Sequence, residues 1–121
     1  MKIALPALEK DIKTGVSPSF GRAPYYLIHD SQTGENIFIE NTATQSAGGA
    51  NIKAAQLVAD SGAKAAISPR LGQNAADVLT GSGLEIYVSV EKSLEENVED
   101  FLAGKLELMT QFHSGFHGHG G

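Results

Sequence analysis

The sequence predicts an α/β fold: a mixed five-stranded sheet with three helices, in the order β-β-β-α-β-α-β-α. Three observations carry that reading. Short runs rich in β-branched and aromatic residues are bounded by Gly and Pro, three segments space their apolar residues as helices do, and strands alternate with helices in the second half. Alternation of that kind demands right-handed crossovers and parallel pairing, whereas an early hairpin is antiparallel, so the sheet must be mixed. With 121 residues, 41% of them hydrophobic, the chain can fill one core and has little left for a second. Residues 1–108 are read as one α/β domain, and residues 109–121, rich in Gly and His, as a flexible tail.

Each element has a local cause. "KIALPA" is a short buried strand cut off by Pro6, and the stretch from Leu8 to Arg22 is a loop broken at Gly15, Pro18 and Gly21. "PYYLIHD" and "ENIFIEN" flank "SQTG", whose Gly34 can supply the positive φ of a hairpin turn. From Gly48 to Gly62 a polar stripe of Lys53, Gln56 and Asp60 interrupts a surface of Ile52, Ala55, Leu57, Val58 and Ala59, which predicts a mostly buried helix. "AKAAIS" is the next strand, Leu71 to Thr80 a helix closed by "GSG", and "LEIYVSV" the last strand. The final helix has Ser93 and Glu96 as a capping box, Leu94, Val98, Phe101 and Leu102 on one face, and Gly104 as its stop.

The order of elements also places a site. If the first strand lies beside "AKAAIS", the loops leaving both emerge at one carboxyl edge, where open α/β sheets hold their ligands. Residues 15 to 22 and 68 to 74 should then face one another. The loop "SPRLGQN" runs straight into a helix, whose first turn offers backbone N–H groups and the positive end of the dipole to an anion. Arg70 would add a planar, permanently charged fork, and Gln73 and Asn74 further donors. An ordinary strand–helix turn with Arg70 in solvent is the competing reading of the same residues. From the facing loop come Ser17, Ser19, the backbone at Gly21, and Arg22, with Phe20 as an apolar wall; Phe20 could equally plug the core and Arg22 pair with an acidic neighbour. Two arginines converging there would make a positive spot that the mean charge conceals.

Other motifs are weaker. "QSAGGAN" opens a helix but lacks both glycine-rich nucleotide fingerprints, so Gly48 and Gly49 are read as permitting a tight start to the helix. "FHSGFHGHGG" places His113, His117 and His119 among glycines, a set that suits soft or borderline divalent metals, or else a tail with incidental metal affinity. His29, alone in a strand pattern, is read as structural. Seven of the fourteen acidic residues fall between Glu85 and Glu107 and read as a solvated face.

Composition removes several classes of function. A formal charge of -5 with no cluster of Lys or Arg argues against nucleic acid as a partner. The absence of cysteine excludes a disulfide framework, a thiolate zinc site, a thiol nucleophile and a thiolate-anchored iron–sulfur cluster. No run approaches the ~20 apolar residues of a membrane span, so neither a membrane nor a compartment other than the cytoplasm is expected. A carboxylate-metal nuclease would need acids on its central strands, and "KIALPA" has none; no Ser/His/Asp signature is present either. The reading is therefore of a binding protein with no catalytic residues, against two alternatives: an adaptor or regulatory domain that works through a protein partner with no bound ligand, and a small hydrolase.

Taken in order, "MKIALP", "SPSFGRAPYYLI", "GGANIKAAQLVADSGAKAAI", "LGQNAADVLTGSGLEIYV" and the Gly/His tail resemble the dinitrogenase iron-molybdenum cofactor biosynthesis family, relatives of small carriers of nitrogenase cofactor precursors. The resemblance covers most of the chain and rests on the order of the motifs. It implies a ribonuclease H-like fold without that enzyme's acids. It also implies non-catalytic carriage of a preformed anionic metal–sulfur cluster, of the molybdenum–copper sulfide or iron–molybdenum–sulfur type, held without covalent attachment and delivered to a protein partner. Ser19 stands where many relatives have histidine, and Ser68-Pro69-Arg70 fills a loop where some carry cysteine, which argues against direct ligation of iron. The residues expected to hold the cluster are Ser19, Phe20, Gly21, Arg22, Ser68, Arg70, Leu71, Gly72, Gln73 and Asn74.

Overall fold

The computed structural model of the chain describes residues 1–45 and 49–112. Its elements are β1 (Lys2–Ala7), β2 (Tyr25–Asp30), β3 (Asn36–Glu40), a 3-10 turn (Thr42–Gln45), α1 (Ala50–Asp60), β4 (Ala63–Ser68), α2 (Gln73–Gly81), β5 (Glu85–Val88) and α3 (Leu94–Leu102). The expected order is observed, and the strands lie side by side as β3-β2-β1-β4-β5, the arrangement of a ribonuclease H-like sheet. β1 pairs in parallel with β4, and β4 with β5, while β2 is antiparallel to both of its neighbours.

Period-two alternation divides β1 between two cores. Ile3, Leu5 and Ala7 join Leu27, Ala65 and Ile67 beneath Leu94 and Val98 of α3. Ala4 joins Tyr26, Ile28, Ala66 and Ile86 on the other face, beneath Ala54, Ala55 and Val58 of α1 and Ala75, Ala76 and Leu79 of α2. A floor and helices so rich in alanine bring α1 and α2 against each other and close to the sheet, leaving the larger side chains to fill the gaps between them. Full burial of one such side chain, Leu79, stabilises the fold by about 2 kcal/mol.

Boundaries differ from expectation at three places. α1 begins at Ala50 after Gly49, whose φ of 70° only glycine adopts without strain; Gly48 lies outside the described residues. α2 begins at Gln73 because Leu71 is drawn into the core and Gly72 stays extended as the N-cap. β5 ends at Val88, and the turn after it is held by Asn97 of α3, fully buried, whose Oδ1 accepts from Val90 N and whose Nδ2 donates to the carbonyls of Val90, Lys92 and Ser93. The capping box of α3 is formed as expected: Ser93 Oγ accepts from Glu96 N at 3.1 Å, and Glu96 Oε1 from Ser93 N at 3.1 Å.

One pairing has no counterpart in the sequence reading. Beyond α3 the chain returns along the outer edge of β5: Val88 N donates to Glu107 O and Met109 N to Ile86 O, both at 2.8 Å, around a bridge between Tyr87 and Leu108. Met109 is buried in the core and Phe112 packs against it, so residues 109–112 lie on the domain. Among the described residues no helix is long and apolar enough to cross a membrane.

Candidate functional site

Because β1 and β4 are adjacent and parallel, the loops that leave them open at the same edge, and the two facing segments meet there. Between them lies a cleft of about 350 Å³ lined by Pro18, Ser19, Phe20, Gly21, Asn51, Arg70, Leu71, Gly72 and Ala75.

The first wall is a turn fixed by its own serines. Ser17, nearly fully buried, donates its N–H to Pro6 O at 2.9 Å and its hydroxyl to Ser19 O at 2.9 Å, and Ser19 Oγ accepts from Arg22 N at 3.2 Å. Phe20 points into the core, its ring 5.1 Å from that of Tyr26, and its carbonyl accepts the Tyr26 hydroxyl. Burial holds that hydroxyl far above its ordinary pKa, so it remains a donor. Asn41, just beyond β3, ties the turn down from behind: Nδ2 donates to Gly21 O at 3.1 Å, Ala23 O at 2.8 Å and Tyr26 Oη at 3.3 Å, and Oδ1 accepts from Ala43 N at 3.0 Å. Gly21 lies so close to α1 that a Cβ there would sit 1.6 Å from Asn51 Oδ1 and 3.2 Å from Asn51 Cα. The glycine is what lets the turn reach the start of that helix.

The second wall is the β4–α2 loop. Ser68, fully buried, donates its hydroxyl to Arg70 O at 2.8 Å and sets the turn that leaves Arg70 exposed at the rim. Leu71 anchors the loop in the core, and Gly72, the N-cap of α2, brings no side chain to cap it; its carbonyl takes the first intrahelical bond, from Ala76 N at 2.9 Å. The amides of the first turn have no acceptor within the helix.

Six of the ten expected residues thus line one cleft: Ser19, Phe20, Gly21, Arg70, Leu71 and Gly72. Four do not. Arg22 is exposed and only its backbone N–H takes part in the turn, so the second arginine of the expected positive spot is absent from the lining. Ser68 lies beneath its loop, bonded to it. Gln73 donates to Asp77 Oδ1 at 2.8 Å along the helix, and Asn74 is exposed on it, because both follow the N-cap and turn with α2 rather than with the loop. Asn51, Pro18 and Ala75 line the cleft without having been expected as site residues; the start of α1 joins it because α1 lies against α2.

A second groove, of about 470 Å³, lies on the other side of Arg70 and Leu71, walled by Pro69, Val88 and the chain from Glu107 to Phe112. Among the described residues no three of His, Cys, Asp and Glu are grouped to hold a metal ion. His29 Nδ1 lies 2.8 Å from Asn36 Oδ1 across the hairpin, in keeping with a structural role, and His113, His117 and His119 lie outside the described residues. What the cleft presents is a set of hydrogen-bond donors, one guanidinium and two apolar surfaces, Phe20 and Leu71.

The sequence profile of the family described as dinitrogenase iron-molybdenum cofactor matches residues 1–104. An uncharacterised protein of Methanocaldococcus jannaschii is 36% identical over 110 residues, which cover 88% of this chain and 90% of that one. The fold is similar to that of the apo form of the orange protein from Desulfovibrio gigas, with a TM-score of 0.88 and 27% identity over 93% of this chain and 96% of the other. It is similar also to a proposed NifB protein from Thermotoga, with a TM-score of 0.82 and 30% identity over 95% and 98% of the two chains. A profile that spans the sheet and all three helices, joined by a relative of this identity and coverage, shows that the chain belongs to the dinitrogenase iron-molybdenum cofactor family.

Proposed function

We propose that this protein is a non-catalytic carrier that takes a preformed anionic metal–sulfur cluster as cargo in the cleft between the Ser17–Arg22 turn and the start of α2. The observation that carries the reading is the pairing, in one cleft, of a helix N-terminus whose N-cap is a glycine with Arg70 and the Asn51 amide, and with no carboxylate among the described residues of the lining. Sulfide ligands are diffuse, weakly basic acceptors, and backbone N–H groups and a guanidinium suit them. With no cysteine in the chain, the metals of such a cargo keep their own sulfides and the protein supplies charge, donors and shape. Phe20 and Leu71 exclude water from one side, which strengthens each charge-assisted bond. The cleft volume, about 350 Å³, lies within the range of small-ligand sites. Membership of the family and the likeness to the orange protein favour a molybdenum–copper sulfide or an iron–molybdenum precursor as the cargo, and delivery to a protein partner as its fate.

The test is titration of the purified protein with tetrathiomolybdate, alone and with copper, followed by visible absorbance and gel filtration. An equimolar coloured complex is expected. Arg70→Ala should weaken it roughly ten- to hundredfold, the effect of losing ~1.5–3 kcal/mol from a hydrogen bond to a charged group. Arg22→Ala, outside the cleft, should leave it near the parental value. A protein that stays colourless, or an Arg70→Ala variant that binds like the parent, would refute the carrier reading and favour the adaptor.

A further inference from the structure

The two edges of the sheet differ. β5 is covered by the return of Glu107 to Met109, whereas β3 is the last strand on the other side, and among the described residues no strand pairs with its outer row. β3 carries neither Pro nor Lys, and its register with β2 runs without a bulge from Glu40 to Asn36. The hairpin bonds fix which of its peptide groups face outward. Asp30 N donates to Glu35 O and Asn41 N to Pro24 O, both at 2.9 Å, and bonded pairs alternate with non-bonded ones along an antiparallel ladder. Glu35, Ile37, Ile39 and Asn41 therefore bond inward to β2, and Asn36, Phe38 and Glu40 turn their peptide groups outward.

We propose that β3 pairs with β3 of a second copy of this chain, antiparallel about a two-fold axis at Phe38. Backbone and side chains both select that occupant and that register. With Phe38 opposite Phe38 of the second copy, every outward residue meets an outward residue, Asn36 facing Glu40 and Glu40 facing Asn36. A slip of one residue sets the outward row against peptide groups already bonded to β2, and a slip of two leaves Asn36 or Glu40 with no strand residue opposite. The facing side chains are complementary as well. Asn36 Oδ1, which can only accept, lies 2.8 Å from His29 Nδ1, so Asn36 keeps its Nδ2 donors for the carboxylate of the facing Glu40, once in each half. On the other face Ile37, 46% exposed, comes opposite the half-buried Ile39 in a non-bonded pair, where side chains approach most closely. The cleft lining includes no residue of β2 or β3, so this pairing is independent of the carrier reading.

One short strand from each copy makes a small interface, so the dimer should be reversible, with a Kd on the order of 10–100 μM. Sedimentation velocity of the full chain, over concentrations on both sides of that range, should show a monomer passing into a dimer. Ile37→Lys, at an exposed position, should stay folded by circular dichroism and remain monomeric throughout. Asn36→Lys, set against Glu40 of the second copy, should tighten the dimer roughly two- to tenfold, the effect of two exposed ion pairs, and Asn36→Asp should weaken it by a similar factor. Gln32→Lys makes the same change of charge in the exposed hairpin turn and should leave the affinity near that of the parent. Hydrogen exchange reads the register directly: the amides of Asn36, Phe38 and Glu40 should gain protection as the dimer forms, while those of Ile37 and Ile39 are protected at every concentration. A chain that stays monomeric across the series would overturn the proposal. So would a dimer that Gln32→Lys tightens as much as Asn36→Lys does, or one that leaves the three outward amides unprotected.

Discussion

Asn41 holds the first wall of the cleft, and its removal gives the most direct measure of how that wall is built. The side chain is 3% exposed, and its amide spends two N–H groups on three oxygens, with the bonds to Ala23 O at 2.8 Å and Gly21 O at 3.1 Å the better two. Asn41→Ala removes these and the acceptor of Ala43 N, leaving three buried backbone groups to find other partners. At about 1 kcal/mol for each bond lost, with an added cost wherever a group stays unsatisfied, the total comes to about 3 kcal/mol. Urea unfolding should show that loss at an unchanged m-value, and the melting temperature should fall by roughly 10 °C. Asn41→Asp sharpens the test. It keeps the acceptor for Ala43 N but turns a carboxylate on two carbonyl oxygens, which raises its pKa in the folded state above the unfolded ~3.9. Stability of that variant is therefore greatest below the unfolded pKa and is lost as pH rises through the folded one, the reverse of a paired carboxylate. A loss below about 1 kcal/mol in Asn41→Ala, or an Asn41→Asp variant that gains stability as pH rises, would refute the assignment of Asn41 as the tie behind the turn.

Further outcomes follow from individual contacts. Gly21→Ala places a Cβ 1.6 Å from Asn51 Oδ1 and should cost about 1–3 kcal/mol in urea unfolding; adding Asn51→Ala should restore most of it, and a double variant no more stable than Gly21→Ala alone would place the strain elsewhere. Hydrogen bonds from Ser93 hold the Glu96 carboxyl below its ordinary pKa. The stability it contributes is present above the unfolded value of about 4.3 and lost as pH falls through the folded one, so Glu96→Gln should flatten that part of the acid limb in stability measured against pH.

Much of this arrangement is legible in the sequence, for reasons that differ by element. Strand alternation, the Ser93–Glu96 capping box and the glycines after helices are local signals, and they mark the elements to within a few residues. The facing of the two cleft loops is not local; it follows from parallel pairing of β1 with β4, which the crossover rule supplies. Asn41 and Asn97 escaped because a polar residue becomes a buried hub only through partners brought in by other elements or turns, and Asn51, exposed at the start of α1, because its place in the cleft depends on how α1 packs. That Arg22 lies outside the cleft lining was hidden for a related reason: the Ser17–Ser19 bonds that fix its turn leave no periodic trace. The return of residues 107–109 along β5 is three residues long, too short to register as a strand.

That short return has a consequence for how these molecules can meet. It occupies the outer hydrogen-bonding row of β5 with the chain's own backbone and leaves only a brief rim, whereas β3, with exposed Ile37, ends the sheet on the other side and among the described residues no strand pairs with its outer row. A ribbon open on one side alone can be joined once. Two copies meeting β3 to β3 exhaust each other's open side, so association by this route closes as a symmetric pair and has no means of growing into a filament.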